Sequence, residues 1–303
     1  MTIQQAKLFT KNSLTSSPSP ELDAEVLLSH VTGLTKTELL FGRDRTLSSE
    51  QEAKFKEYVA RRITGLPVAY ITGYKEFFGY DFFVNTDVLI PKPDTEILVQ
   101  EALSVLEEKI AKKKNLLLCD IFTGSGCVGL SLFKAALEKN LFTKEDAPTL
   151  VLADISRKAL DTARKNAEHL LPDFYKTNIQ FVQTNIFENI SESFDIITAN
   201  PPYIPAKEAR ELLKDGRSEP LLALDGDVTL SGESSGENDG LTIMRNFIPQ
   251  AVNHLNPHAF ILTEAGEYNA EETVRIFIKH GLKSTCIVRD LEGQLRVVKG
   301  ARI

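Results

Sequence analysis

The stretch from Phe194 to Pro205 constrains the fold of this chain more than any other. It begins with an apolar run typical of a strand that is buried on both faces of a parallel sheet. The run ends in Asn200-Pro201-Pro202-Tyr203, where each proline holds the residue before it in extended geometry. Neither proline has an N–H to donate, whereas the carbonyls of Asn200 and Pro201 remain free as acceptors. The sequence therefore predicts a rigid group of acceptors at the carboxyl end of a buried strand, beside an aromatic ring.

That end of a strand is where ligands bind in open α/β sheets. The side-chain oxygen of Asn200 and the carbonyl of Pro201 can together accept both hydrogens of an –NH2 group, and Tyr203 can cover its flat face. The structural alternative is a Pro-Pro turn that only ends a strand. A cofactor site earlier in the chain favours the functional interpretation.

A glycine-rich motif, Gly-x-Gly-x-x-Gly from Gly124 to Gly129, follows an upstream apolar run and opens a helix. Glycines here let the backbone turn sharply and let a ligand approach closely, although the motif alone fits a dinucleotide enzyme equally well. The next predicted strand ends at Asp154, and an acid at that position suits the two hydroxyls of a ribose. The alternative for Asp154 is a helix N-cap, a role that Ser156 can fill instead.

Two more features complete the predicted sheet. A third strand, Ile179–Val182, is followed by Asn185 and Ile186, where an adenine ring can lie. Near the end of the chain, the runs 284–289 and 294–298 are too close together for a parallel crossover. They predict an antiparallel hairpin at the end of the sheet.

Residues 1–70 predict a small helical bundle, with capping boxes that start at Thr35 and Ser48. Two aromatic and β-branched runs broken by glycine, Val68–Gly73 and Phe77–Val84, then predict a hairpin. We therefore expect a helical domain over 1–70, a β-hairpin linker over 71–93 and a main domain over 94–303. The polar, Gly/Ser-rich segment 226–239 predicts a mobile loop.

Composition narrows the classes of function. A net charge of −7 does not favour wrapping of a long nucleic acid. The three cysteines have no metal-ligand spacing and indicate a reducing compartment, and the five histidines are scattered. No signal sequence is visible, and no apolar run approaches the roughly 20 residues of a membrane span. We expect a cytoplasmic protein without a metal or a membrane partner.

The glycine-rich turn, the acid, the Asn-Pro-Pro-Tyr run and the terminal hairpin together resemble the seven-stranded, Rossmann-like class I methyltransferases, which use S-adenosylmethionine. Members with Asn-Pro-Pro-Tyr methylate planar –NH2 groups, either of glutamine side chains or of adenine and cytosine. Further motifs resemble the peptide-chain release-factor glutamine methyltransferases: Arg61–Gly73, Leu89–Glu96, Glu219-Pro220, Asp239–Leu241 and Arg296–Val298. This resemblance covers roughly residues 60–300.

The resemblance implies an α/β enzyme that methylates N5 of the glutamine in the Gly-Gly-Gln motif of class-1 release factors, with the N-terminal domain helping to dock the factor. The residues expected to bind S-adenosylmethionine are Phe122, Thr123, Gly124, Ser125, Gly126, Asp154, Asn185, Ile186 and Asn200. Those expected to bind the substrate are Asn200, Pro201, Pro202 and Tyr203, and Asn200, Pro201 and Tyr203 are expected to be catalytic. Three single positions depart from the usual pattern: Lys92 replaces an arginine, Phe122 a small residue and Asn185 an aspartate. In addition, a common Glu-Ile-Gly-x-x-Gln pattern is blurred around Glu264–Glu267, and residues 227–238 resemble an insertion.

Two other interpretations remain open from the sequence. A nucleic-acid adenine-N6 methyltransferase shares the –NH2 chemistry, but it needs a basic surface and a way to flip a base out of the stack. A non-catalytic cofactor-binding module is expected to lose Asn200 or Tyr203 first, and both residues are present. A hydride-transfer enzyme would explain the glycines but not the Asn-Pro-Pro-Tyr run. Because the net charge of −7 does not favour a nucleic-acid partner, no direct contact with nucleic acid is expected.

Overall fold

The computed structural model describes residues 1–215 and 218–303. The chain divides into two units, one of Met1–Tyr74 with Leu212–Ser218 and one of Lys75–Glu211 with Glu219–Ile303. Among the described residues, no helix has both the length and the apolar character that crossing a membrane requires.

The first unit is helical. Its described residues form α1 (Ile3–Ser13), α2 (Pro20–Thr32), α3 (Lys36–Phe41), α4 (Ser49–Ile63) and α5 (Val68–Thr72). The capping boxes predicted at Thr35 and Ser48 are confirmed, because each hydroxyl accepts the N–H three residues on, from Glu38 or Gln51. Apolar side chains from α1, α2 and α4, including Ile3, Leu27 and Phe55, fill the core of this bundle.

The predicted hairpin is wrong in one part, because the run Val68–Gly73 forms α5 instead of a strand. Pro67 precedes this helix and Gly73 ends it in left-handed geometry, and these end signals outweigh the β-branched composition. The hairpin lies wholly in the residues that follow, with strands β1 (Tyr74–Phe77) and β2 (Tyr80–Phe83). Phe78 and Gly79 join the strands with φ of 54° and 78°, as a tight two-residue turn requires.

The second unit contains the large sheet. Its remaining helices and strands are α6 (Glu96–Ile110), β3 (Leu117–Ile121), α7 (Cys127–Glu138), β4 (Thr149–Asp154), α8 (Arg157–Leu170), β5 (Ile179–Gln183), β6 (Phe194–Ala199), α9 (Ala206–Leu212), α10 (Thr242–Asn253), β7 (Leu255–Glu264), α11 (Ala270–Lys279), β8 (Lys283–Arg289) and β9 (Leu295–Ala301). The strand order in the described residues is β5-β4-β3-β6-β7-β9-β8. Strands β3 to β7 pair in parallel, whereas β9 runs antiparallel to both of its neighbours. The predicted seven-stranded sheet with a terminal hairpin is confirmed.

Side chains alternate between the two faces of this sheet, as its pleat requires. Leu118 and Ile196 belong to an apolar cluster with α6 and α7, whereas Cys119 and Ile197 belong to a second cluster with α10 and α11. Helices therefore cover both faces, and the central strands are buried on both sides as their continuous apolar runs predict.

The strand register sets the position of the functional edge. Ile121 at the end of β3 pairs with Ala153 of β4 on one side and with Ala199 of β6 on the other. Ala199 in turn pairs with Thr263 of β7. The loops that leave β3, β4, β6 and β7 therefore begin side by side.

Gly129 tests how closely α7 packs on this sheet. A Cβ at this position would lie 2.7 Å from Leu152 Cδ2 and 2.8 Å from Asp120 Cβ. We expect Gly129→Ala to destabilise the protein by about 1–3 kcal/mol through overpacking, because this cost exceeds the gain of up to about 1 kcal/mol in helix propensity. Thermal unfolding should show a fall in Tm of several degrees. A rise in Tm would mean that α7 can move away from the sheet at little cost.

Candidate active site

A cavity opens at the carboxyl ends of β3, β4 and β6. It is lined by the segment before α6 (Thr86–Leu89, Pro91, Lys92, Thr95), the turn after β3 (Phe122–Ser125), the end of β4 (Asp154–Ser156), and Asn200, Pro202, Pro220, Leu222 and Ala223. Six predicted site residues for the methyl donor are thus brought together: Phe122, Thr123, Gly124, Ser125, Asp154 and Asn200. The cavity lining does not include Gly126, Asn185, Ile186, Pro201 or Tyr203.

The turn after β3 is held in left-handed geometry at three positions. Phe122, Gly124 and Gly126 have φ of 60°, 55° and 82°. Glycine adopts this geometry freely, whereas a bulky residue such as phenylalanine does so at a cost that is typical of functional sites. A Cβ on Gly124 would meet no atom within 4 Å, so this backbone faces open space where a ligand can approach.

The buried carboxylate of Asp120 braces this turn from below. It accepts hydrogen bonds from the hydroxyl of Thr123 at 2.6 Å, the N–H of Gly129 at 3.1 Å and the hydroxyl of Thr198 at 2.8 Å. Burial raises the pKa of Asp120 to about 6, although these hydrogen bonds act in the opposite direction. Asp120 therefore joins β3, the first turn of α7 and β6, a role that the sequence alone did not reveal.

Asp154 lies at the end of β4 and faces the cavity. Its Oδ2 accepts the N–H of Gly124 at 2.9 Å, and its Oδ1 accepts the N–H of Ser156 at 2.9 Å. Burial raises the pKa of Asp154, and these backbone hydrogen bonds oppose the rise. The N-cap of α8 is Ser156, whose hydroxyl accepts from the N–H of Ala159. Asp154 is therefore not needed as a cap, and each of its oxygens can accept a further hydrogen bond from a ligand.

The two residues predicted for the adenine end, Asn185 and Ile186, are not part of this cavity lining. Asn185 donates from Nδ2 to the carbonyl of Leu230 at 2.8 Å, and Ile186 is buried with φ of 54°. The apolar side chain next to Asp154 in the cavity lining belongs to Ile155, which is largely exposed. Sequence reasoning did not single out Ile155, although its place directly after the acid was the available signal.

Asn200 is part of the cavity lining. Its Nδ2 donates to the hydroxyl oxygen of Thr95 at 3.3 Å, which leaves the side-chain oxygen Oδ1 available as an acceptor. Pro201 and Pro202 are buried directly after it, and Pro202 contributes to the lining. The arrangement therefore presents a polar acceptor from a rigid backbone.

Tyr203 is fixed by both its side chain and its backbone. Its hydroxyl donates to Glu264 Oε1 at 2.8 Å, and its carbonyl accepts from Tyr268 Oη and Asn269 Nδ2, both at 3.1 Å. Burial raises the pKa of Tyr203 well above its ordinary value, and the nearby carboxylate of Glu264 adds to this rise. The tyrosine therefore remains a neutral hydrogen-bond donor.

The polar segment 226–239 has more structure than its composition predicts. The fully buried Asp227 accepts from the N–H groups of Ala206 and Gly240, at 3.0 and 2.8 Å, and Val228 pairs with Ser234. A Cβ on Gly240 would lie 2.1 Å from the carbonyl oxygen of Tyr203. The base of this segment thus packs directly against the backbone of the Asn-Pro-Pro-Tyr run.

An ion pair holds two distant motifs together beside the cavity. Lys92 Nζ donates to Glu219 Oε1 at 2.7 Å, and the N–H of Ile90 donates to the same oxygen at 3.3 Å. Glu219 is buried. This pair anchors the segment that brings Leu222 and Ala223 to the cavity.

The residues of the cavity fit a nucleoside that carries a charged or polar tail. Asp154 offers acceptors for ribose hydroxyls, Ile155 and Leu222 offer apolar surface, and the open side of Gly124 admits a ligand to the backbone. The buried hydroxyl of Ser125 also lies in this lining, without a hydrogen-bond partner in the described part of the chain. These groups are of the kind that S-adenosylmethionine requires.

Comparison with known proteins identifies relatives over nearly the whole chain. Residues 5–73 match the PrmC N-terminal domain, and residues 112–225 match a methyltransferase domain. A release factor glutamine methyltransferase from Haemophilus influenzae is 33% identical over 297 residues, which cover 97% of this chain and 95% of that protein. One from Leptospira interrogans is 34% identical, covering 93% and 91%. A solved methyltransferase structure from Pyrococcus furiosus matches with a TM-score of 0.48 and 18% identity, over 84% of this chain and 99% of that one.

Replacement of Asp154 tests the proposed ribose contact. We expect Asp154→Ala to weaken binding of S-adenosylmethionine at least tenfold, because hydrogen bonds to a charged group contribute about 1.5–3 kcal/mol. Isothermal titration calorimetry would measure the dissociation constant, with the exposed Asp161→Ala on α8 as the matched control. Equal affinities for the two variants would exclude Asp154 from the binding site.

Proposed function

Because this chain belongs to the family of release factor glutamine methyltransferases, we propose that its substrate atom is N5 of the glutamine in the Gly-Gly-Gln motif of class-1 release factors. The chain is a methyltransferase that uses S-adenosylmethionine and acts on a glutamine of a release factor. The observation that carries the finer proposal is the acceptor Oδ1 of Asn200 in the cavity lining, which is left available because Nδ2 of the same amide donates to Thr95.

Several groups of this chain would hold the methyl donor. The residues Phe122 to Gly126 would hold its methionine end, and Asp154 would accept hydrogen bonds from its ribose. Ile155 and Leu222 offer apolar surface for its base, whereas Asn185 and Ile186 would lie further out at the adenine end. When bound, S-adenosylmethionine supplies a methyl group on a positively charged sulfur, which is already a good leaving group.

The substrate side of the site has to overcome the weak nucleophilicity of an amide. The nitrogen lone pair of a glutamine side chain is delocalised into its carbonyl group. Asn200 Oδ1 and the carbonyl of Pro201 would accept the two N–H bonds, orient the nitrogen and favour the positive charge that develops on it. Tyr203 would pack over the planar amide. This mechanism needs alignment and polarisation. The nitrogen would release its extra proton to solvent after the methyl group has been transferred, so no strong base is needed to deprotonate the amide beforehand.

The substrate is a protein, and we propose that the helical N-terminal region over 1–70 helps to dock it. The segment 71–93, which contains the hairpin of β1 and β2, then serves as the linker to a catalytic domain over 94–303. Because release factors act during translation, the cytoplasm is the expected site of the reaction. A net charge of −7 supports a protein substrate over direct binding of nucleic acid.

Replacement of Asn200 tests the reaction and its centre together. Intact-mass analysis of a purified class-1 release factor, after incubation with this protein and S-adenosylmethionine, should show the gain of one methyl group. Peptide mapping should place that group on the Gly-Gly-Gln glutamine. We expect Asn200→Ala to lower kcat by about 100-fold or more, as loss of one preorganised polar contact does in other enzymes, with little change in cofactor affinity.

The exposed Asn253→Ala at the end of α10 is the matched control and should behave as the unchanged protein. An equal loss of cofactor binding and activity in Asn200→Ala would indicate a structural role. If the release factor gains no methyl group while the cofactor still binds, the proposed substrate is wrong. Adenine-containing nucleic acid would then be the substrate to test.

A further inference from the structure

Glu264, the last residue of β7, is a buried carboxylate beside the substrate-binding residues. Only 2% of its surface is exposed. Because Ala199 of β6 pairs with Thr263 of β7, Glu264 follows that pair on one strand as Asn200 follows it on the other. The function proposed above gives this residue no role, although burial of a charge is costly.

The two oxygens of Glu264 have different surroundings. Oε1 accepts the hydroxyl of Tyr203 at 2.8 Å. Oε2 makes no hydrogen bond with any residue that the structure describes. The hydroxyl of Thr95 lies close to this carboxyl and acts to lower its pKa.

Thr95 links this carboxylate to Asn200. It lies at the N-terminus of α6, but its hydroxyl does not cap that helix, and its side chain is buried. The hydroxyl oxygen accepts from Asn200 Nδ2 at 3.3 Å. Since a hydroxyl carries one hydrogen of its own, Thr95 can donate that hydrogen to Glu264 while it accepts from Asn200.

The Glu264 carboxylate, when ionised, fixes the direction of such a chain. It only accepts, so the hydroxyl of Thr95, like that of Tyr203, can approach it only as a donor. Thr95 then has only its acceptor side left for Asn200, which must turn Nδ2 towards it and Oδ1 away from it. A reversed amide would present two donors to the substrate –NH2 group instead of an acceptor.

We propose that Glu264 is a positioning residue that sets the amide orientation of Asn200 through Thr95 and holds Tyr203 by a direct hydrogen bond. This inference rests on the proposed function, because it assigns Asn200 Oδ1 to the substrate amide. It explains why a carboxylate, which costs more to bury than a neutral amide, occupies this position.

The charges around Glu264 act in both directions. Burial raises the pKa of this carboxyl and the carboxylate of Asp94 adds to the rise, whereas the guanidinium of Arg296 acts to lower it. Arg296 is itself buried and pairs with Asp94 at 3.1 Å and with Asp290 at 3.0 Å. Its carbonyl accepts the N–H of Ala265, which fixes the backbone directly after Glu264.

Glu264→Gln is the direct test, because it keeps the shape but leaves one acceptor oxygen where the carboxylate has two. The one side-chain oxygen of the glutamine cannot accept from both Thr95 and Tyr203. Either Tyr203 loses its hydrogen bond, or Thr95 loses its orientation and Asn200 with it. We expect kcat for methylation of a release factor to fall about 100-fold, with the dissociation constant for S-adenosylmethionine and the Tm close to those of the unchanged protein. Glu101→Gln, which removes a carboxylate that pairs with Lys299 of β9, is the matched control.

A second readout does not depend on methyl transfer. A Gly-Gly-Gln peptide and its Gly-Gly-Glu counterpart would be titrated into the protein without a methyl donor. The unchanged protein should prefer glutamine, since Asn200 Oδ1 accepts from an amide and repels a carboxylate. In Glu264→Gln, the ratio of the dissociation constants of the two peptides should move closer to one.

A double variant separates positioning from a merely structural role. Tyr203→Phe removes one of the two donors, so in the combined Glu264→Gln, Tyr203→Phe protein the single side-chain oxygen of the introduced glutamine can serve Thr95 alone. We expect this double variant to have a higher kcat than Glu264→Gln and to approach Tyr203→Phe. This comparison also decides the matter if Glu264→Gln lowers Tm, provided that both proteins are assayed below their unfolding transitions.

Each outcome has a distinct meaning. A kcat for Glu264→Gln within about threefold of the unchanged protein, or a double variant no more active than Glu264→Gln, would overturn the positioning role and leave the proposed function intact. Absence of methylation by the unchanged protein would instead contradict the proposed function. In that case the peptide preference still tests the orientation of Asn200.

Discussion

The parallel register of β3, β6 and β7 is the constraint on which the site depends. It places the ends of three strands side by side, so that Phe122, Asn200 and Glu264 begin their loops at one edge. A slip of one residue in β6 would turn every side chain of that strand to the opposite face. Two features oppose such a slip. The hydroxyl of Thr198 in β6 donates to Asp120 of β3, and the two prolines that follow β6 cannot donate the hydrogen bonds that a central strand position requires.

Three carboxylates, of which Asp120 and Glu264 are buried and Asp154 is half-buried, connect the strand ends to the loops of the site. Asp120 joins β3 to α7 and β6, Asp154 joins β4 to the glycine-rich turn, and Glu264 joins β7 to Tyr203. Burial opposes the ionised form of each, as their raised pKa values indicate. Hydrogen bonds from neighbouring loops offset that cost, so the loops are held in place before any ligand arrives. A site built in this way gives up folding stability for preorganisation, and alignment is the main requirement of methyl transfer to a weak nucleophile.

The sequence predicted the fold well where one local signal dominated. Continuous apolar runs identified the central strands, the short spacing near the end of the chain identified the hairpin of β8 and β9, and capping boxes marked α3 and α4. The run Val68–Gly73 failed because two signals competed there, and the helix-end residues outweighed the β-branched composition. Residues such as Thr95, Asp120 and Glu264 could not be given roles from the sequence, since each acts through partners that are distant along the chain. Only the strand register brings those partners together.

The same geometry accounts for the three single-residue departures from the family pattern. The ring of Phe122 packs edge-on against Phe247 of α10, with ring centres 5.3 Å apart, so its bulk is absorbed by the apolar cluster beside the sheet. Lys92 reaches Glu219 with a single donor, and the N–H of Ile90 supplies a second hydrogen bond that the planar fork of an arginine could otherwise provide. Asn185, unlike an aspartate, can donate, and it uses this capacity to bind the carbonyl of Leu230 in the segment 226–239. At each of the three positions, the new side chain or its neighbour makes a contact that holds the residue in place. Such contacts are expected when a site changes residues and keeps its chemistry.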